Sequence, residues 1–576
     1  MRPDFDLIIR GGTVVDGTGA DPFEADIAMQ SGRIVAVGRV RERGREELDA
    51  RGSIVTPGFV DIHTHYDGQA TWSERLTPST LHGVTTVLAG NCGVGFAPCR
   101  PEDRDLLIRL MEGIEDIPEI VMREGLAWNW RSFPEYLEAL AQRQFDADVA
   151  VQLGHAALRV QVMGERGAER EPATAEDLRA MARVAVEALE SGAFGISTSR
   201  SLFHRTRAGK LAPTITAGED ELEALAGAMA QTKRGVFQLL LDFPGTSEAG
   251  SVEFALLRRI AQRSGRPLSF TLAHLPRAPE VFRILLGHLD EASRDGLVIR
   301  GQIAPRPIGL LFGHELSFNP FTFLPSYQPI RELPLPQKVA ALREEGLKQR
   351  LLLEQPVNWT VEHMLRRSRA VAGMFVLGDP PDYEPPPERT VGAMAAQRGV
   401  TPMAMAYDLL LERDGQEMLY APETNYVDGN LDSTLEMLRH PQTLIGLGDG
   451  GAHYGLICDA SFPTTLITHW TRDRARGERL PLSFAVHALT LRNAHAVGLM
   501  DRGTIAVGQK ADINVIDLDR LQLASPEVVR DLPARGVRLM QRSRGYLANI
   551  VSGEVVYRDG EPTGRLPGRL LRGTRH

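Results

Sequence analysis

The chain has 576 residues, 43% of them hydrophobic and 24% charged, so a wholly disordered, collagenous or coiled-coil polypeptide is excluded and a sizeable core can form. At roughly 150 residues per domain this length suggests about four domains, yet α/β barrels routinely exceed about 250 residues as one unit, so one barrel plus one smaller domain also fills it. Sixty-five Lys+Arg against 74 Asp+Glu leave a formal charge of −9, which offers no basic footprint for a phosphate backbone and points to a small ligand rather than nucleic acid.

The opening stretch carries acids within its first residues and no long apolar run, so neither a secretory signal nor a membrane span is expected. Three cysteines, Cys92, Cys99 and Cys458, cannot pair completely, which fits a reducing, cytoplasmic setting. Residues 1–57 consist of short β-branched runs punctuated by glycine (FDLIIRGGTVVDG, ADIAMQSGRIVAVG, GSIVTPG), the vocabulary of strands and hairpins. From residue 58 the rhythm changes to a short apolar run followed by an amphipathic helix, as in VAVQLGH before DLRAMARVAVEALESG, which is the βα signature of a parallel sheet.

Eight such runs occupy residues 58–65, 85–92, 149–155, 194–199, 236–243, 268–274, 297–305 and 444–450. Eight strands alternating with helices predict a TIM (β/α)8 barrel over 58–502, with polar residues gathered at the C-terminal strand ends where barrel active sites are built. Residues 306–443 are too long for one crossover and form an insertion, a lid or a contact surface that also leaves room for a homo-oligomer. Residues 503–576 return to the strand-and-turn vocabulary of the N-terminus, so both chain ends are expected to build one small composite β-sandwich domain.

The sharpest chemical signal is His63 and His65 in FVDIHTHYDG. Residues i and i+2 share a face of a strand, so both imidazoles can reach one ion inside the barrel mouth. Asp449, in LIGLGDGGAH at the end of the eighth run, would meet them once the barrel closes. A zinc ion there lowers the pKa of water from about 15.7 to about 7, and the adjacent carboxylate can accept the proton.

These residues carry a family resemblance over nearly the whole chain. TPGFVDIHTHYDG, HGVTTVLAGNCGVGFAP, GAFGISTS, GLGDGGAH and GTIAVGQKADINVIDLD resemble the amidohydrolase superfamily, and within it the N-acyl-D-amino-acid deacylase (D-aminoacylase) group. The resemblance implies Cys92, closing TTVLAGNC, as a zinc thiolate in place of the bridging lysine of most binuclear relatives; no lysine sits in or near GAFGISTS, the closest being Lys210. It also implies metal-binding histidines at the ends of strands five and six. The fifth run offers Leu239, Leu240 and Leu241 there, while the sixth ends in His274. One firmly held zinc is therefore expected, with His63, His65, Cys92, Asp449 and His274 as ligands, and a second metal is left open.

Further polar residues have two readings each. His155, in a GHxxLR pattern that the deacylases share, either orients substrate or hydrogen-bonds within the mouth; Arg200 and His204 either contact a substrate carboxylate or serve structural pairs. Gln302 and Arg306 are weaker candidates of the same type, and His453 supports the Asp449 loop from behind the ligands. The expected activity is zinc-dependent hydrolysis of a linear amide, the N-acyl bond of a small N-acyl amino acid or related amide, with D selectivity taken from the resemblance alone. The alternatives are a cyclic amidase of the hydantoinase or dihydropyrimidinase type and a metal-poor relative kept as a binding scaffold.

Overall fold

The computed structural model describes residues 4–206, 209–241, 245–357 and 362–574. The eight apolar runs appear as parallel strands: Phe59–Asp61, Val84–Ala89, a third run divided into Asp148–Val151 and Leu153–Gly154, then Gly195–Ser199, Val236–Leu240, Leu268–Thr271, Ile299–Ile303 and Thr443–Ile445. Residues 242 and 243 of the expected fifth run lie outside the described residues. The strands are buried almost throughout, which explains why they read as continuous β-branched and apolar runs rather than as alternating ones.

Each strand pairs in parallel with the next, in two groups. The first, second and leading part of the third form one, and the trailing part of the third through the eighth form the other. The division falls at Gln152, whose backbone N–H still donates to Ala89 O at 2.9 Å while its side chain turns to Asn91. The first and last strands are tied through Asn493, whose side-chain amide donates to Val60 O at 2.9 Å and to Ile445 O at 2.7 Å. Just beyond the strand ends, Thr64 and Gly450 form an isolated parallel bridge.

The helix Ala175–Ser191 shows how local sequence builds the outer layer. Thr174 accepts from the Asp177 N–H and Asp177 from the Thr174 N–H, a reciprocal cap worth about 1 kcal/mol. Met181, Ala185, Ala188 and Leu189 form its buried stripe at helical spacing, and the chain leaves through Gly192 at φ +117°.

Strands from the two chain ends meet in one nine-stranded sheet, in which Ile513–Ile516 runs antiparallel to Ile54–Pro57. The last residues depart from that sheet: Leu571 N–H donates to Val149 O at 2.7 Å and Gly573 N–H to Gly192 O at 2.9 Å, so the tail runs along the parallel strands. The insertion builds a three-stranded antiparallel sheet from Gly309–Phe312, Phe375–Val376 and Leu419–Pro422, with its own apolar core around Phe312, Phe321, Tyr407 and Leu410.

Candidate metal centre

Thr64 is anchored by its N–H and its hydroxyl, both donating to Leu88 O at 3.1 and 2.9 Å, and it bridges Gly450 on its other side. The flanking His63 and His65 consequently point the same way, as alternation along extended backbone requires. His63 Nδ1 donates to Gln302 Oε1 at 2.6 Å. Because Gln302 Nε2 donates to Ser269 Oγ at 3.0 Å, the amide is oriented and His63 Nε2 is left bare as a ligand atom.

Cys92 lies three residues past the second strand, on backbone at φ +57°. The turn that carries it depends on Gly90, where an added Cβ would stand 2.4 Å from Gln152 O, and on the Cys92 N–H donating to Gln238 Oε1 at 2.9 Å. Asp449 is delivered by the eighth strand at φ +48°, its N–H donating to His63 O at 3.3 Å, while His65 N–H donates to Gly450 O at 2.8 Å. Gly451 lets this loop press in, since a Cβ there would meet His65 O at 2.7 Å.

The result is a compact donor set. His63, His65 and Cys92 offer ligand atoms within 4.8 Å of one another. His63 Nε2 is 3.2 Å from Cys92 Sγ and 3.4 Å from Asp449 Oδ1, and His65 Nε2 is 3.5 Å from the same carboxylate oxygen. Donors bonded at 2.0–2.3 Å around a tetrahedral ion stand roughly 3.3–3.8 Å apart, so these separations and the N/S/O chemistry fit a single zinc-like cation. Burial pushes the Cys92 thiol up to about 12 and holds His63 down to about 4, the latter keeping the imidazole neutral as a ligand must be. Burial would also raise Asp449, but the His65 imidazole beside it at 3.5 Å outweighs that and holds the carboxyl well below its ordinary range.

The other sequence-derived candidates fall in different places. His274 is not brought to the cluster: its ring packs on Phe282, with centroids 5.0 Å apart, and its backbone N–H is bound by Asn425 Oδ1. His155 is fully buried with both nitrogens engaged, Nδ1 with Thr198 Oγ1 at 2.8 Å and Nε2 with Glu221 Oε1 at 2.7 Å, and Arg159 holds Glu221 from the other side. Arg200 forms a bidentate pair with Glu253 at 3.1 and 3.3 Å beside an open cavity of about 700 Å³. His204 is half-buried with its Nδ1 buried and unpartnered, and burial holds it down to about 3. Gln302 orients His63, and Arg306 pairs with Asp459 at 2.7 Å while stacking over Tyr383.

Glu115 is the residue that sequence reasoning missed. It caps the C-terminus of the helix Arg104–Ile114, is buried, and places Oε2 at 3.7 Å from His65 Nε2 and 3.5 Å from His453 Nε2. A carboxylate at a helix C-terminus opposes the helix dipole, and an acid so placed in LMEGIED was the one available signal.

The amidohydrolase family profile matches residues 46–557. An uncharacterised protein of Mycobacterium tuberculosis is 28% identical over 586 residues, covering 97% of this chain and 92% of that one. The N-acyl-D-glutamate deacylase of Alcaligenes xylosoxydans xylosoxydans is 26% identical over 579 residues, covering 99% and 97%. Among solved structures, a D-aminoacylase described as defining a novel subset of amidohydrolases aligns at a TM-score of 0.64 with 23% identity, over 99% of this chain and all of that one. The Bordetella bronchiseptica N-acyl-D-glutamate deacylase, complexed with zinc and a phosphonate mimic of the tetrahedral intermediate, aligns at 0.64 with 23% identity, over 99% of each. The fold is thus that of these deacylases.

Proposed function

The chain belongs to the amidohydrolase family, and on that premise we propose that it is a zinc-dependent hydrolase of the amide bond in small N-acyl amino acids of D configuration. The observation that carries this reading is the convergence of His63, His65, Cys92 and Asp449 at separations suited to one cation. The full-length likeness to N-acyl-D-glutamate deacylase supports the substrate class, and the zinc in the Bordetella complex supports the metal. We read the parallel strands as a TIM barrel over 58–502, closed at Asn493 and at Thr64–Gly450, with the two chain ends forming a second domain. Three free, buried cysteines support a cytoplasmic setting.

Zinc, when bound, polarises the amide carbonyl and acidifies water beside it. His63 and His65 would hold it through Nε2 and Cys92 through Sγ, and Gln302 keeps the His63 ring turned so that Nε2 faces the donors. Asp449 is held ionised, so it takes a proton from the attacking water and delivers it to the departing amine nitrogen. His204 is half-buried and neutral, and its Nδ1 is buried without a hydrogen-bond partner, which leaves it available to a substrate. The strand-four lysine that a cyclic amidase would use has no counterpart, since Lys210 is engaged with Glu169 at 2.7 Å.

The test is a panel of N-acetyl-D- and N-acetyl-L-amino acids with zinc added. Release of free amino acid from the D series is expected; hydrolysis of neither series by zinc-loaded protein overturns the reading in favour of a binding scaffold.

A further inference from the structure

The relatives' second metal site has no counterpart on strand five of this chain, where Gln238 Oε1 is committed to the Cys92 N–H. Instead we propose a second divalent-cation site on the opposite side of His65, built from Glu115 and His453. This inference rests on the metal-dependent reading above.

Three observations carry it. Glu115 Oε2 is buried and has no hydrogen-bond partner. Its 3.5 Å separation from His453 Nε2 exceeds the 2.7–3.2 Å of an N–H···O bond yet matches two donor atoms that share a cation, while His65 Nε2, 3.7 Å away, belongs to the first site. A buried carboxylate oxygen left without a partner destabilises the fold, and a cation between these groups removes that cost.

The backbone holds the pair in place. The His453 N–H donates to Glu115 O, the Glu115 N–H closes its helix on Met111 O at 2.9 Å, and His453 sits at φ +53°. The His65 and His453 rings stand 6.4 Å apart and nearly perpendicular, so the Glu115 oxygen lies between two imidazoles. The His453 side chain is 19% exposed and Glu115 1%, much as Asp449 is 17% exposed beside His63 at 1%, so each site pairs a buried donor with one that reaches towards solvent. Glu115 and His453 supply one oxygen and one nitrogen, solvent fills the remaining positions, and no thiolate is present. Zinc, cobalt and manganese are all suited to such a donor set, and binding is weaker than at the Cys92 site.

Calorimetric titration of the metal-stripped full chain with zinc, checked by the cobalt spectrum, tests this. Two associations are expected: a tight one accompanied by a thiolate-to-cobalt charge-transfer band, and a weaker one that adds none. Glu115→Gln and His453→Asn, the latter chosen because Asn tolerates positive φ, should each keep the first association. They should weaken the second by at least the roughly 10–100-fold that loss of an outer-shell partner costs. Circular dichroism and melting confirm that each variant is folded. A single equivalent in the wild type, or an unchanged second equivalent in both variants, overturns the second site while leaving the first intact. Failure to take up even the first equivalent overturns the hydrolase reading and this site with it.

Discussion

His63 Nε2 lies 3.4 Å from Asp449 Oδ1, although the two residues come from the first and last of the parallel strands. That contact exists because Thr64 and Gly450 pair, fixing both loops against each other. If Asp449 moves the proton, Asp449→Asn should leave the fold and melting temperature nearly unchanged and lower kcat by roughly 100- to 10,000-fold on the amide substrate. Steady-state kinetics on the zinc-loaded variant checks this, and near-wild-type turnover would remove Asp449 from the proton path.

Cys92→Ala should cost metal retention. The thiol is buried and protonated without metal, and a bound cation deprotonates it and gains a strong ligand. Zinc measured after dialysis against a chelator is expected to fall well below that of the wild type. Unchanged zinc with a lowered melting temperature would instead make Cys92 a packing residue.

Gln302→Leu keeps the volume of the side chain but removes the acceptor for His63 Nδ1. The ring is then free to turn, and zinc affinity or turnover should drop by roughly 10–100-fold. Competition with a chromophoric chelator reads the affinity directly; an unchanged value would show that packing alone holds His63.

Stability should depend on pH through Glu384, which ties the insertion to the segment after the eighth strand. It accepts from Arg474 at 3.0 and 3.0 Å, from His469 at 2.9 Å and from the Leu431 N–H at 2.8 Å. Burial raises its carboxyl, but these partners outweigh that and bring it down from 4.5 to about 2. The folded value lies below the unfolded one, so the contribution is complete above about pH 4.5 and is lost as pH falls towards 2. Glu384→Gln should therefore lower stability at neutral pH by roughly 1–3 kcal/mol, since Arg474 keeps Asp432 at 2.7 Å but loses its buried carboxylate partner. The variant's melting temperature should also fall less steeply over that acid range, and parallel melting profiles would contradict this.

His63, His65 and Asp449 were legible in the sequence because strand alternation and the βα order are strictly periodic, and periodicity determines which residues share a face and which strands are neighbours. The split of the third strand at Gln152 was not, since it arises from that residue's side-chain bond to Asn91. For His155 and His274 the sequence supplied the residue type and the strand end, but rotamer and partner decide where a ring points. Glu221 captures one from a helix 66 residues further on, and Phe282 the other from the start of the helix Val281–Arg294 that follows it directly. Glu115 lies at a helix end outside every strand, and only the tertiary hydrogen bond from the His453 N–H brings it to the site.

Diffraction from zinc-soaked crystals at the zinc absorption edge addresses the pairing of the opening and closing strands around one ion most directly. An anomalous peak within bonding distance of His63 Nε2, His65 Nε2, Cys92 Sγ and Asp449 Oδ1 is the expected result. A peak bonded elsewhere, or none among these four atoms, would contradict it.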